Sequence, residues 1–126
     1  MKDTVILLDD APTNREIVRK ILENLGYSVL AGENGEDGAA HVETCEKNGL
    51  NLVAVISDML MPLVDGPTFV LRLRDDPRYE ELPVIFMTTA TDKSLLLQAK
   101  ELKAGYILKP VDGGQLAAKL KSLIKH

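Results

Sequence analysis

One cysteine, Cys45, is all this chain holds, so no internal disulfide can form, and a reducing, cytoplasmic setting fits. Cys45 lies in a polar segment away from every expected strand end, which suits a partly buried structural thiol better than a nucleophile. No apolar run approaches the ~18 residues that span a bilayer, so no membrane segment is expected. Met1-Lys2-Asp3 opens the chain without a basic cluster and apolar core behind it, so no secretory leader is expected. Low-complexity stretches and linkers are lacking as well, and with 45% hydrophobic and 27% charged residues this argues against disorder. No DNA-binding segment is seen, and direct nucleic-acid binding is not expected. The 126 residues suit one domain, expected to run over 1–126.

Charge of one sign is scarce in the first part of the chain. Residues 1–91 carry eight basic against sixteen acidic side chains, and residues 92–126 seven against three, within a net charge of -4. Such asymmetry marks either a solvated helix face or a partner surface.

The segment Leu52-Val53-Ala54-Val55-Ile56-Ser57 runs with little polar interruption into Asp58. A short run of this kind reads as a strand buried on both faces, as in parallel sheets. Thr4-Val5-Ile6-Leu7-Leu8 runs in the same way into Asp9-Asp10, and Pro83-Val84-Ile85-Phe86-Met87 into Thr88. Tyr27-Ser28-Val29-Leu30-Ala31 and Tyr106-Ile107-Leu108 are shorter strands, the second ending in Lys109-Pro110. Between them lie helical patterns. Ile17, Ile21 and Leu25 recur at helical spacing beside Val18 and Leu22, with Gly26 as the stop. A second helix starts after Glu33-Asn34-Gly35 and stops at Asn48-Gly49, and Gly38 weakens it. Pro67 suits the first turn of a third, with Phe69, Val70 and Leu73 inward. A fourth runs from Ser94 to about Lys103, capped by Asp92. Leu96 and Leu97 cannot both join its inner face, so at least one should be exposed. Asp112 precedes a last helix with Leu116, Leu120, Leu123 and Ile124 inward.

Five strand–helix units imply an α/β fold with right-handed crossovers: a flavodoxin-like (βα)5 doubly wound parallel five-stranded sheet, order 2-1-3-4-5. In such a sheet the strand ends share one edge, where ligands bind. Asp9, Asp10, Asp58, Thr88 and Lys109 should therefore converge. Three carboxylates repel one another, and a hard divalent cation relieves this; Mg²⁺ suits one or two carboxylates with waters and phosphate oxygens. A lysine and a hydroxyl would hold phosphate oxygens beyond the metal's reach. An Asp not fully consumed by the metal can act as a nucleophile and form an acyl phosphate. The set fits phosphoryl transfer to Asp58, by positioning and charge.

On these residues the chain resembles, over essentially its whole length, the receiver domain of two-component response regulators, the CheY-like superfamily. The matching residues are Leu8-Asp9-Asp10, Asp58 with Met61-Pro62 and Asp65-Gly66 behind it, Pro83-Val84-Ile85 leading to Thr88, and Tyr106 with Lys109-Pro110. The resemblance implies that Asp58 accepts phosphate from a sensor histidine kinase or a histidine phosphotransfer protein. It implies Mg²⁺ held by Asp10, Asp58 and the backbone carbonyl of Leu60, with Asp9 acting largely through water. It implies Thr88 and Tyr106 as a switch pair, Lys109 as the phosphate partner, and a cis Lys109-Pro110 bond. It implies a phosphoacceptor switch rather than an enzyme, one that contributes to its own phosphotransfer and dephosphorylation, with Leu60 and Ala90 flanking the approach of water. Two positions depart from the family. Thr89 stands where a small residue is usual, and spacing from Pro83 favours Thr88 over Thr89 as the switch. Leu102-Lys103-Ala104-Gly105 lacks the glycine usual at the end of the fourth helix.

The fourth and fifth helices combine Lys93, Lys100, Lys103, Lys119, Lys121 and Lys125 with a surplus Leu at 96 or 97, a polar-rimmed apolar spot that suits an acidic protein partner or phosphorylation-dependent self-association. Two other readings compete. A haloacid-dehalogenase-like Mg²⁺-dependent phosphatase also uses a nucleophilic Asp, but its acidic pair comes last, and a second acid follows the nucleophile by two residues, where Leu60 stands here. A flavin mononucleotide carrier would want a Ser/Thr/Gly-rich loop after the first strand, where Asp9-Asp10 would repel phosphate.

Overall fold

The computed structural model describes residues 3–89 and 93–124. Its strands are β1 (Asp3–Leu8), β2 (Ser28–Gly32), β3 (Asn51–Asp58), β4 (Val84–Thr88) and β5 (Gly105–Leu108). The helices between and after them are α1 (Pro12–Asn24), α2 (Gly35–Asn48), α3 (Gly66–Arg74), α4 (Lys93–Glu101) and α5 (Gly113–Leu123), with a 3-10 turn at Pro77–Tyr79. All pairings are parallel and the order is β2-β1-β3-β4-β5, the flavodoxin-like sheet that the strand–helix alternation predicts. Among the described residues no helix is long and apolar enough to cross a membrane.

The apolar runs have a simple cause: both faces of the sheet are covered. Side chains alternate along a strand, so Val5 and Leu7 pack with Val18 and Leu22 of α1 and Leu116 and Leu120 of α5. Ile6 and Leu8 pack on the other face with Phe69, Val70 and Leu73 of α3 and Ala99 of α4. Gly38 lowers the helix propensity of α2 but lets it close on β1 and α3, since a Cβ there would lie 2.8 Å from Leu8 Cδ1 and 2.9 Å from the Phe69 ring. Side-chain oxygens of Asn34, Asp65 and Asp112 accept from the backbone N–H groups of Asp37, Thr68 and Gln115, which fixes where α2, α3 and α5 start. Cys45 is buried on α2, and burial pushes its thiol above the ordinary range, helped by Glu46.

Three details differ from the sequence reading. The inner face of α1 centres on Val18 and Leu22, while Ile17 and Leu25 are 50% and 44% exposed. Strand β2 is shifted one residue later, to Ser28–Gly32. Helix α4 ends at Glu101, and the residue that closes it is Lys103 at φ +58°. The Ala104 N–H donates to the Ala99 carbonyl at 2.8 Å and the Lys103 N–H to Lys100 at 3.0 Å, the paired bonds of a left-handed C-terminal cap. Leu97 is 55% exposed and Leu96 partly buried, as their spacing requires. Asp92, expected as the α4 cap, and Ala90 and Lys125 lie outside the described residues.

Candidate functional site

Strand register sets the site. Leu8 pairs with Ser57, Asp58 with Met87, and Thr88 with Leu108. The next residues after β1 and β5, Asp9 and Lys109, therefore fall on the same edge as Asp58 and Thr88.

Asp9 is fully buried. Its N–H continues the ladder to the Gly32 carbonyl at 3.0 Å, and its own carbonyl accepts from Arg15 Nη1 at 2.8 Å. Its carboxylate Oδ1 accepts from the Ala11 N–H at 2.9 Å, and Oδ2 accepts from Asn14 Nδ2. Asp10, one residue on, is exposed.

Asp58 ends β3. Ser57 Oγ donates to its carbonyl at 2.8 Å. The loop that follows folds back on itself: the Met59 N–H donates to the Met87 carbonyl and the Gly66 N–H to the Met59 carbonyl. The Lys109 N–H donates to the Thr88 carbonyl at 2.8 Å, and the Lys109-Pro110 bond is cis. The Lys109 ammonium lies 2.9 Å from Asp58 Oδ2 and 3.2 Å from Asp9 Oδ2, bridging two carboxylates that start on different strands.

One carboxylate oxygen each from Asp9, Asp10 and Asp58 lies within 4.8 Å of the others. Lys109 is the one cation paired to this group among the described residues, so the cluster keeps a negative excess. Burial pushes the Asp58 carboxyl above its usual range, against the pull of Lys109, and the charges of Asp9 and Asp10 add to the rise. Burial lowers the Lys109 ammonium, but its hydrogen bond to Asp58 and the charges of Asp58 and Asp9 outweigh that, and the net shift is upward. A hard, all-oxygen donor set with unbalanced negative charge suits Mg²⁺, which takes a few carboxylates and keeps waters.

Of the site residues singled out from the sequence, all but Ala90 fall among the described residues. Asp9, Asp10, Asp58 and Lys109 come together. Thr88 is buried at the end of β4, while Thr89 is exposed. Leu60 is 67% exposed on the loop after Asp58. Tyr106 is 41% exposed, opposite Phe86 in the β4–β5 ladder. The sequence analysis assigns no role to Asn14 and none to Ser57 beyond its strand. The available signal was that Asn14 sits in the first turn of α1, where side chains lean back toward the preceding loop.

A family model described as response regulator receiver domain matches residues 5–121. Chemotaxis protein CheY1 of Helicobacter pylori is 36% identical over 126 residues, covering 95% of both chains. Chemotaxis protein CheV3 of the same species is 32% identical over 125 residues; the match covers 95% of this chain but 40% of that relative. Among solved structures, chemotaxis protein CheY4 of Vibrio cholerae superposes with a TM-score of 0.86 at 26% identity, covering 98% of this chain and all of the other.

Proposed function

The chain belongs to the response regulator receiver domain family, and from that premise we propose that Asp58 is its phosphoacceptor, with Thr88 and Lys109 serving the phosphoryl group. The observation that carries the reading is the Lys109 ammonium, 2.9 Å from Asp58 and 3.2 Å from Asp9, beside three clustered carboxylates. Asp9, Asp10, Asp58 and the backbone carbonyl of Leu60 would hold Mg²⁺. When bound, the cation supplies positive charge that offsets the carboxylate cluster and the incoming phosphate.

The donor is a phosphohistidine of a sensor histidine kinase or phosphotransfer protein. An Asp58 oxygen attacks phosphorus, the P–N bond breaks, and its electron pair returns to the imidazole. Lys109 is already within hydrogen-bond reach of the acceptor, and it meets the negative charge on the transferred oxygens. Thr88 supplies a hydroxyl from the next strand. The reading is of a switch module rather than a turnover enzyme, active in the cytoplasm, with residues 1–126 as a single receiver domain.

Phosphorylation then turns Thr88 toward the phosphoryl oxygens and Tyr106 inward from its exposed rotamer, a two-state element biased by local charge. The surface this alters is a groove lined by Leu96, Leu97 and Tyr106 and rimmed by Lys93, Lys100, Lys103 and Lys119. Apolar at its centre and cationic at its rim, it fits an acidic protein partner.

Incubation with acetyl phosphate and Mg²⁺, followed by intact-mass measurement, tests the acceptor. One phosphoryl group should add to the wild type and none to Asp58→Ala; equal labelling of both would overturn the assignment.

A further inference from the structure

Every acceptor atom of the buried Asp9 is engaged, and the donors differ in kind. Oδ1 takes the Ala11 N–H, a fixed backbone group. Oδ2 takes Lys109 Nζ and Asn14 Nδ2. Lys109 is shared with Asp58, and on the reading above it is drawn toward the phosphoryl group when the acceptor is loaded. Among the described residues Asn14 has no such second allegiance: the other acceptor near its amide is Met87 Sδ at 4.0 Å, a weak one. It sits in the first turn of α1, behind Pro12, so the helix start that places Asn14 also places Ala11. The two ties hold the carboxylate from both of its oxygens.

The chemistry of the tie matters. A cation at position 14 would neutralise Asp9 and remove part of the charge that attracts a metal. An amide orients the carboxylate and leaves its charge in place. Partners of this kind, one shell out from a metal, commonly tune its binding.

We propose that Asn14 is the positioning residue for Asp9, and that its amide keeps the Asp9 carboxylate aimed into the acidic pocket and so sets the affinity for Mg²⁺. The proposal rests on the Mg²⁺ reading above, and it concerns binding rather than phosphorylation, so the two fail separately.

The test is Mg²⁺ titration of the full chain. Tryptophan is absent, so backbone amide shifts of Asp10 and Asp58 serve as the signal. Asn14→Leu keeps the side chain's approximate size without its donor and should raise the Mg²⁺ Kd about tenfold. Asp9→Ala should weaken binding too, and adding Asn14→Leu to it should cost nothing more, because Asn14 acts through Asp9. Thermal unfolding in EDTA checks that each variant is folded; where Asn14→Leu is not, Asn14→Ala replaces it throughout. A Kd within about twofold of wild type for the single Asn14 variant, against the loss expected of such a partner, would overturn the proposal. Additive losses in the double variant would do the same. A wild type that fails to bind Mg²⁺ would overturn the metal reading along with it.

Discussion

A side chain at Gly66 would begin 2.3 Å from the carbonyl oxygen of Asp58. That oxygen already accepts from Ser57 Oγ, so neither it nor the strand end can move aside cheaply. Gly66→Ala should push α3 away from β3 and cost about 1–3 kcal/mol, the range for overpacking. Gly113→Ala is the control, since the nearest atoms there are Ile21 side-chain carbons at 3.7 Å, an ordinary van der Waals contact. Urea unfolding of both variants decides it, and equal midpoints would refute the crowding argument.

Asp58 is a cost to the fold. Its carboxyl is raised mainly by burial, with Asp9 and Asp10 adding to the rise. A carboxyl raised on folding favours the folded state while it is protonated, and that contribution is lost as pH climbs through the folded value. At neutral pH without metal, Asp58→Asn should therefore melt a few degrees above wild type. The advantage should shrink as pH falls toward the ordinary carboxylate range near ~4. Mg²⁺ should narrow the gap from the other side by stabilising the wild type. A variant less stable than wild type at pH 7 in EDTA would contradict the account.

Lys103 holds a left-handed backbone at φ +58° where glycine would be unstrained. Relief of that strain is worth about 1–2 kcal/mol, and the freer unfolded chain takes back about 0.4–1 kcal/mol. Lys103→Gly should leave a net gain near 0.5–1 kcal/mol, read as a higher denaturant midpoint at unchanged slope. A lower midpoint would mean that the lysine side chain contributes more than its backbone costs.

Leu60 is 67% exposed on the loop after Asp58, and it cannot hydrogen-bond a water approaching a phosphorylated Asp58. A positioned polar group contributes about 10²-fold or more to such a step when it handles the proton directly, and less from a flanking position. Leu60→Asn should speed loss of the phosphoryl group by up to about tenfold, roughly 1.4 kcal/mol in the barrier. Decay after donor removal, at constant Mg²⁺, measures it; identical decays would show that residue 60 does not limit the access of water.

The strand ends were legible because burial on both faces leaves each strand an apolar run, and the polar residue that breaks it marks the edge. Asp9, Asp58, Thr88 and Lys109 are all such breaks. The α1 face was less legible. Ile17, Ile21 and Leu25 follow a four-residue step that drifts around a helix of 3.6 residues per turn, so its two ends leave the core while Val18 and Leu22 remain in it. The bond from Asn14 to Asp9 depends on a side-chain rotamer and on how the loop enters the helix, neither of which residue spacing encodes. Lys103 was illegible for the opposite reason: the usual glycine is missing, and the chain takes the glycine-like conformation anyway.

Lys109 joins Asp58 and Asp9 from the far end of the chain, across a sheet whose central strands must already be in register. A nascent chain halted before β5 holds the carboxylates without the ammonium that joins them. On the proposed reading, the lysine that serves the phosphoryl group thus arrives last, with completion of the sheet.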